Sequence, residues 1–221
     1  MRPFFITLSF FLFSHSYGQD SLSNIIANNT CSCLNNNKNQ RAIVYNDVVK
    51  CVNDENEKQS DFYVKEGIRK YGDSVTESQA IGFAKEIGLQ VSLKLIKACP
   101  VYRNIMDTAR YSLYSYMNKD SLINEIYKMN QIDVKDRSLN FYVKRCKMFF
   151  WLSKIKDAFE DAEQILALNS TNELGLHVKA MYLELNHDYD SALKIYTDLY
   201  NNSNNPRYAI DATLVKFKLQ N

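Results

Sequence analysis

The chain has 221 residues, 46% of them hydrophobic and 24% charged, with a formal net charge of +2. This length allows one domain or two small ones with a sizeable core. Nucleic-acid binding would need a basic stripe. The closest candidate, between Lys144 and Lys156, is interrupted by apolar residues and is interpreted as a solvated helix face. No phosphate-binding glycine loop, metal-ligand helix or serine nucleophile motif is found, so no cofactor or metal is expected.

An apolar run from Phe4 to Phe13 follows Arg2 and precedes small residues that end at Gly18. This pattern is typical of a secretory signal peptide, here residues 1–18 with cleavage after Gly18. The run is too short to cross a bilayer, which takes about 20 residues. We therefore expect an exported mature chain, periplasmic or secreted, without a membrane span. An uncleaved anchor or a buried helix remains an alternative.

Four of the five cysteines precede the C-terminal region: Cys31, Cys33, Cys51 and Cys99. Exported thiols tend to pair, so these four are disulfide candidates. A Cys31 to Cys33 bridge would be strained, because one intervening residue gives little freedom to reach disulfide geometry. Two pairings remain, each joining these two cysteines separately to Cys51 and Cys99. A zinc site is the alternative, although the spacing lacks a paired C-x-x-C arrangement.

The fifth cysteine, Cys146, stands where a helix needs a small buried residue and is interpreted as an inert core thiol. A nucleophilic thiol needs a base. The mature chain offers only His177 and His187, neither of them near a cysteine in sequence. No catalytic residue is therefore predicted.

Residues 19–130 are predicted to form a helical, cysteine-containing N-terminal domain. The Asn-rich segment 35–39 is expected to be a loop. Ser74 and Glu77 form a capping box that predicts a long helix ending at Cys99. Its predicted apolar stripe consists of Ala80, Ala84, Ile87, Val91, Leu95 and Ala98.

Two glycines, Gly82 and Gly88, lie inside this predicted helix and suggest a close helix contact. Pro100 ends the helix and begins another that reaches Met117. A shorter helix, Asp120 to Met129, precedes a linker over residues 130–138.

The C-terminal region, residues 139–221, repeats itself. Ala158 and Ala192 stand 34 residues apart, and the residues around them match in kind. A period of this length split into two helical halves predicts a helix-turn-helix solenoid. The expected packing residues are Tyr142, Phe149, Ala158, Leu183, Ala192 and Tyr196. Pro206 and the apolar residues after it predict a final capping helix.

On these residues the chain resembles the tetratricopeptide repeat family. The matching positions are the small residue that opens each helix B (Ala158, Ala192), the residue one turn later, and the large apolar residue of helix A. The resemblance implies an all-α solenoid of two hairpins plus a capping helix, and a scaffold that binds a protein or peptide partner. The proline that usually ends helix B is absent from the first copy and two residues late in the second.

In this family the A helices line the inner groove, which implies a partner-binding surface. The predicted groove residues are Asn140, Val143, Lys147, Phe150, Trp151, Leu174, His177, Met181, Glu184, Tyr208, Asp211 and Val215. The family's clamp for a C-terminal carboxylate uses paired Lys and Asn, and Val143 and Lys147 stand there instead. An extended or helical peptide is the expected ligand.

Three functions remain open. The first is an exported, non-catalytic adaptor that binds a protein partner. The second is a structural subunit whose groove is filled by its own N-terminal helices. The third is an enzyme with a cryptic site near the N-terminal cysteines.

Overall fold

A computed structural model describes residues 14–39, 42–112 and 118–220, and within them every regular element is a helix. The helices of the first part are α1 (Ser14–Lys38), α2 (Tyr45–Lys58), α3 (Ser60–Tyr71), α4 (Glu77–Ala98), α5 (Pro100–Ser112) and α6 (Lys119–Asn130). Those of the second part are α7 (Leu139–Trp151), α8 (Ile155–Leu168), α9 (Glu173–Leu185), α10 (Tyr189–Ser203) and α11 (Pro206–Leu219). The all-α prediction is confirmed. None of the described helices is long and apolar enough to cross a bilayer.

The chain divides into two compact units, Met1–Met106 and Asp107–Asn221. The division falls within α5, whereas the sequence places a boundary near residue 130. Residues 1–13, which hold most of the predicted signal peptide, lie outside the described residues, so that prediction stays a prediction. Helix α1 begins at Ser14 and includes Gly18.

In the N-terminal unit, α1 packs against α2, α3 and α4. Leu22, Ile26 and Leu34 of α1 are fully buried, as are Ile87 and Leu95 of α4 to within 1%. The loop predicted at residues 35–39 is wrong, because α1 continues to Lys38. Two disulfides hold the last turns of α1 against α2 and the end of α4.

The disulfides join Cys31 to Cys99 and Cys33 to Cys51, with Cα–Cα distances of 5.7 and 5.9 Å. This is one of the two pairings left open by the sequence. Since all four sulfurs are bonded to one another, they are not zinc ligands here. Cys146 is the free thiol of the described residues and is buried, as predicted. Burial raises its pKa to about 12, which keeps it protonated and unreactive.

Three sequence predictions for α4 need correction. The helix begins with a capping box of Thr76 and Gln79, so the predicted Ser74 and Glu77 box is wrong. The buried stripe is Phe83, Ile87, Val91 and Leu95, whereas Ala80, Ala84 and Ala98 are exposed. An added Cβ at Gly82 or Gly88 would meet nothing within 4 Å, so neither glycine marks a close helix contact.

In the C-terminal unit, α7 to α11 pack consecutively, each on the next, as in a helical solenoid. The backbone repeats at 34 residues. Ser138 and Asn172 cap α7 and α9 through the same bond, to the amide three residues on. Ser153 and His187, in the turns inside the two hairpins, have positive φ of 57° and 64°.

The side chains at the helix crossings follow the same period. Ala158 and Ala192 have no exposed surface, and neither have Cys146 and Ala180 at the matching positions of the A helices. The other predicted packing residues, Tyr142, Phe149, Leu183 and Tyr196, belong to the same hydrophobic core. Small residues at these crossings let the helix axes approach closely.

Candidate partner-binding site

The predicted groove is open at the first repeat. Asn140, Val143, Lys147 and Trp151 of α7 lie together and line one surface depression of about 620 Å³. Residues of α6 form its opposite wall. We call this depression the α6–α7 groove; its lining is Ser121, Leu122, Glu125, Asn140, Val143, Lys144, Lys147, Met148 and Trp151.

The floor of the α6–α7 groove is apolar. Met148 is 3% exposed and belongs to the main core, with Leu122, Val143 and Trp151 packed against it. Ile126 and Met129 anchor α6 in that core from the other side of the helix. A groove whose floor is part of the core keeps its shape, which lowers the entropic cost of binding.

The rim of the groove carries more positive than negative charge. Lys144 Nζ lies 2.6 Å from a carboxylate oxygen of Glu125, across the groove from α7 to α6. The hydrogen bond from Lys144 lowers the pKa of Glu125. Among the described residues Lys147 has no ion-pair partner, so one positive charge is available to a ligand.

A second depression of about 440 Å³ adjoins the first and shares Glu125, Asn140 and Lys144 with it. It extends toward Ile132 and Asp136, before α7 begins. Together the two depressions follow α6 and α7 along a shared wall, a shape that suits a peptide segment.

The remainder of the predicted groove is closed. Seven of its twelve predicted residues have less than 9% of their surface exposed: Phe150, His177, Met181, Glu184, Tyr208, Asp211 and Val215. Leu174 is half-buried against the core. These residues cannot contact a partner here, and the prediction that they line an open surface is wrong.

Side chains from within the same unit fill that space. The guanidinium of Arg110, in the last turns of α5, donates to Glu184 of α9. It also lies 2.6 Å from an oxygen of Asp107 and 3.4 Å from Asp211 of α11. Lys218 Nζ is 2.9 Å from Glu184 and 2.8 Å from Asp107. We call these five side chains the Arg110 network.

Aromatic rings pack around the network. The His177 ring lies 6.0 Å from Phe150, 6.0 Å from Tyr196 and 5.4 Å from Tyr208, measured between centroids. The Tyr196 hydroxyl donates to Glu184 at 3.4 Å. Arg110, Glu184 and Asp211 keep 6%, 1% and 3% of their side-chain surface exposed, so the charges depend on each other rather than on water.

Protonation in this region follows burial and pairing. Burial lowers the pKa of His177, even though Asp211 lies 3.4 Å away and acts in the opposite direction. Burial also disfavours charge on Asp211, but His177, Arg110 and Arg207 outweigh it and lower the pKa of that carboxyl. A neutral imidazole beside an ionised, paired carboxylate is a stable arrangement in the absence of solvent.

Sequence reasoning missed Arg110 and the α6 wall of the groove. Arg110 precedes its partners Glu184 and Asp211 by 74 and 101 residues, and no local pattern announces such a pairing. The α6 wall could have been found, because Leu122, Ile126 and Met129 follow helical spacing immediately before the repeats. Within the described residues no cluster of three His, Cys, Asp or Glu side chains could hold a metal.

Comparison of the chain with protein-family models, with curated proteins and with solved structures gives no significant match.

Proposed function

We propose that this protein is an exported, non-catalytic adaptor that holds a peptide segment of a partner protein in the α6–α7 groove. The observation that carries the proposal is the juxtaposition of Asn140, Val143, Lys147 and Trp151 with α6 around an apolar floor. The resemblance of the repeats to the tetratricopeptide family supports it. The paired cysteines are compatible with an oxidising compartment, which supports export.

The charge on the rim defines the ligand further. Lys144 is bonded to Glu125, and Lys147 has no ionic partner among the described residues. A peptide with two or three apolar side chains and an Asp or Glu would bury its apolar groups on Met148 and Trp151 and place the carboxylate near Lys147. Rim charges of this kind contribute mainly to association rate and selectivity.

The single tryptophan of the chain lies in this groove, which gives the test a built-in reporter. Peptides of about 12 residues, selected from a displayed random library on the full chain, should carry apolar and acidic residues. Each should shift the emission of Trp151 on binding. We expect Lys147→Glu to weaken binding about tenfold, equivalent to about 1.4 kcal/mol, and Gln164→Glu on the exposed side of α8 to leave it within twofold.

Two results would count against the proposal. One is a set of selected peptides that bind without changing Trp151 emission. The other is equal binding to wild type and Lys147→Glu. A folding control is straightforward, since Lys147 is exposed and has no ion pair to lose among the described residues.

A second candidate function has its own observation. Arg110 fills the groove at α9 and α11 from within the unit, as a structural subunit with an internally occupied groove would require. Under this alternative no peptide would enter the α6–α7 groove, so the Trp151 titration separates the two.

A further inference from the structure

A second groove lies in the N-terminal unit, between α3 and the first half of α4. Its volume is about 400 Å³, and its lining is Tyr63, Val64, Gly67, Ile68, Tyr71, Asp73, Val75, Thr76, Glu77, Ala80 and Phe83. We call it the α3–α4 groove. It is independent of the proposed function, because it shares no residue with the α6–α7 groove.

The floor of this groove is aromatic and fixed. Phe83 is 4% exposed. Tyr63 and Tyr71 meet its ring edge-to-face, with centroids 6.1 and 6.4 Å away. Edge-to-face pairs hold rings in defined orientations. The floor is therefore formed before any ligand arrives.

A missing side chain creates part of the space. Gly67 is buried in α3, and a Cβ added there would lie 4.0 Å from Phe83 Cδ1. A longer side chain at this position would continue into the groove. The aliphatic walls remain accessible, since Val64 and Ile68 of α3 are 59% and 40% exposed.

The charges at the mouth are unequal. Lys70 lies 2.5 Å from Glu86, so its charge is matched. Asp73 and Glu77, at the end where α3 turns into α4, are exposed and have no ion-pair partner in the part of the chain that the structure describes. The mouth of an apolar groove thus carries two unmatched negative charges.

We infer that the α3–α4 groove docks a peptide segment of a partner protein in which apolar side chains are followed by Lys or Arg. The apolar side chains would lie on Phe83 between the two helices, and the cation would face Asp73 and Glu77. This is helix-in-groove recognition, in which apolar anchors supply affinity and charges set orientation. The charge preference is opposite to that of the α6–α7 groove.

The test uses the full chain with its disulfides intact and a displayed library of random peptides of about 12 residues. Some of the selected peptides should combine apolar residues with Lys or Arg, and these should bind, by fluorescence anisotropy of labelled synthetic copies, without shifting Trp151 emission. Gly67→Leu fills the groove and should weaken them at least tenfold. Gly82→Leu makes the same change on α4, where a Cβ meets nothing, and should have less than a twofold effect.

A second pair of variants protects the test against misfolding of Gly67→Leu. Ala80→Lys places a positive charge in the groove wall and should weaken binding at least tenfold, whereas Ala84→Lys, exposed on the same helix, should not. Asp73→Lys should weaken binding about tenfold and reduce its salt dependence.

Three outcomes would overturn the inference: no basic and apolar peptide is recovered, the recovered peptides bind Gly67→Leu and Ala80→Lys within twofold of wild type, or they carry Asp or Glu in place of Lys or Arg. Because ligands of the α6–α7 groove shift Trp151 emission and respond to Lys147→Glu, failure of one proposal leaves the other measurable.

Discussion

Replacing Arg110 with Met tests whether the Arg110 network closes the inner surface of the repeats. The substitution keeps the length of the side chain and removes its charge, which leaves Glu184 and Asp211 buried with one cation fewer each. Removing one partner from a buried ion pair costs about 3 to 5 kcal/mol. Lys218 remains 2.9 Å from Glu184, and His177 remains beside Asp211. We therefore expect a loss near the lower end, about 3 kcal/mol.

Urea unfolding followed by Trp151 fluorescence measures this loss in the C-terminal unit, because the only tryptophan lies there. With a urea slope of about 2 kcal/mol per molar, the midpoint should fall by about 1.5 M. Lys144→Met is the matched control. Its pair with Glu125 is exposed, so the loss should stay below about 1 kcal/mol. A loss below about 1 kcal/mol for Arg110→Met would refute the reasoning, since a network that is truly buried cannot lose its central cation at that cost.

Three further predictions concern stability. The pKa of His177 is lowered in the folded state, so the unfolded chain binds the extra proton first and the unfolding free energy should fall as pH drops below about 6.5, a dependence that His177→Gln should flatten. Ala158→Leu, which overpacks a helix crossing, should cost about 1 to 3 kcal/mol in urea unfolding, while Ala167→Leu on the exposed side of α8 should cost almost nothing. Removing the Cys31–Cys99 disulfide, which spans 68 residues, should cost about 4.4 kcal/mol, and removing Cys33–Cys51, which spans 18, about 3.2 kcal/mol, by circular dichroism of double-serine variants. Equal losses, or a larger one for the shorter loop, would contradict the loop-entropy argument.

The helices of the C-terminal unit were predictable because their signals are local. Asn172 caps α9 through its own side chain, Pro206 begins α11, and the alanines at the crossings repeat at a fixed distance along the chain. A 34-residue period constrains every element in it at once, so a single register fixes the bounds of several helices.

The accessibility of the inner surface was not predictable from the same pattern. Helix A positions such as Met181 and Glu184 read as groove residues in a repeat, and their burial depends on Arg110, which lies in another element. Burial of a charged side chain is set by its partners in space, and sequence separation hides those partners.

The N-terminal unit shows the same limit in two places. The spacing of Cys31 and Cys33 reduced the disulfide pairings to two, but the choice between them depends on how α1 lies against α2 and α4. Glycines inside α4 suggested close packing, whereas the glycine that does shape a surface is Gly67 of α3. A glycine has no side chain whose character could indicate which face of a helix it lies on.

Photo-cross-linking in the compartment where the protein resides tests the adaptor proposal most directly. A benzoylphenylalanine at position 147 stands on the rim of the α6–α7 groove, and one at position 164 stands on the exposed side of α8. The proposal predicts cross-links from position 147 to a second protein, mapped by mass spectrometry to an apolar and acidic segment, and none from position 164. Only intramolecular products from position 147, or the same products from both positions, would contradict it.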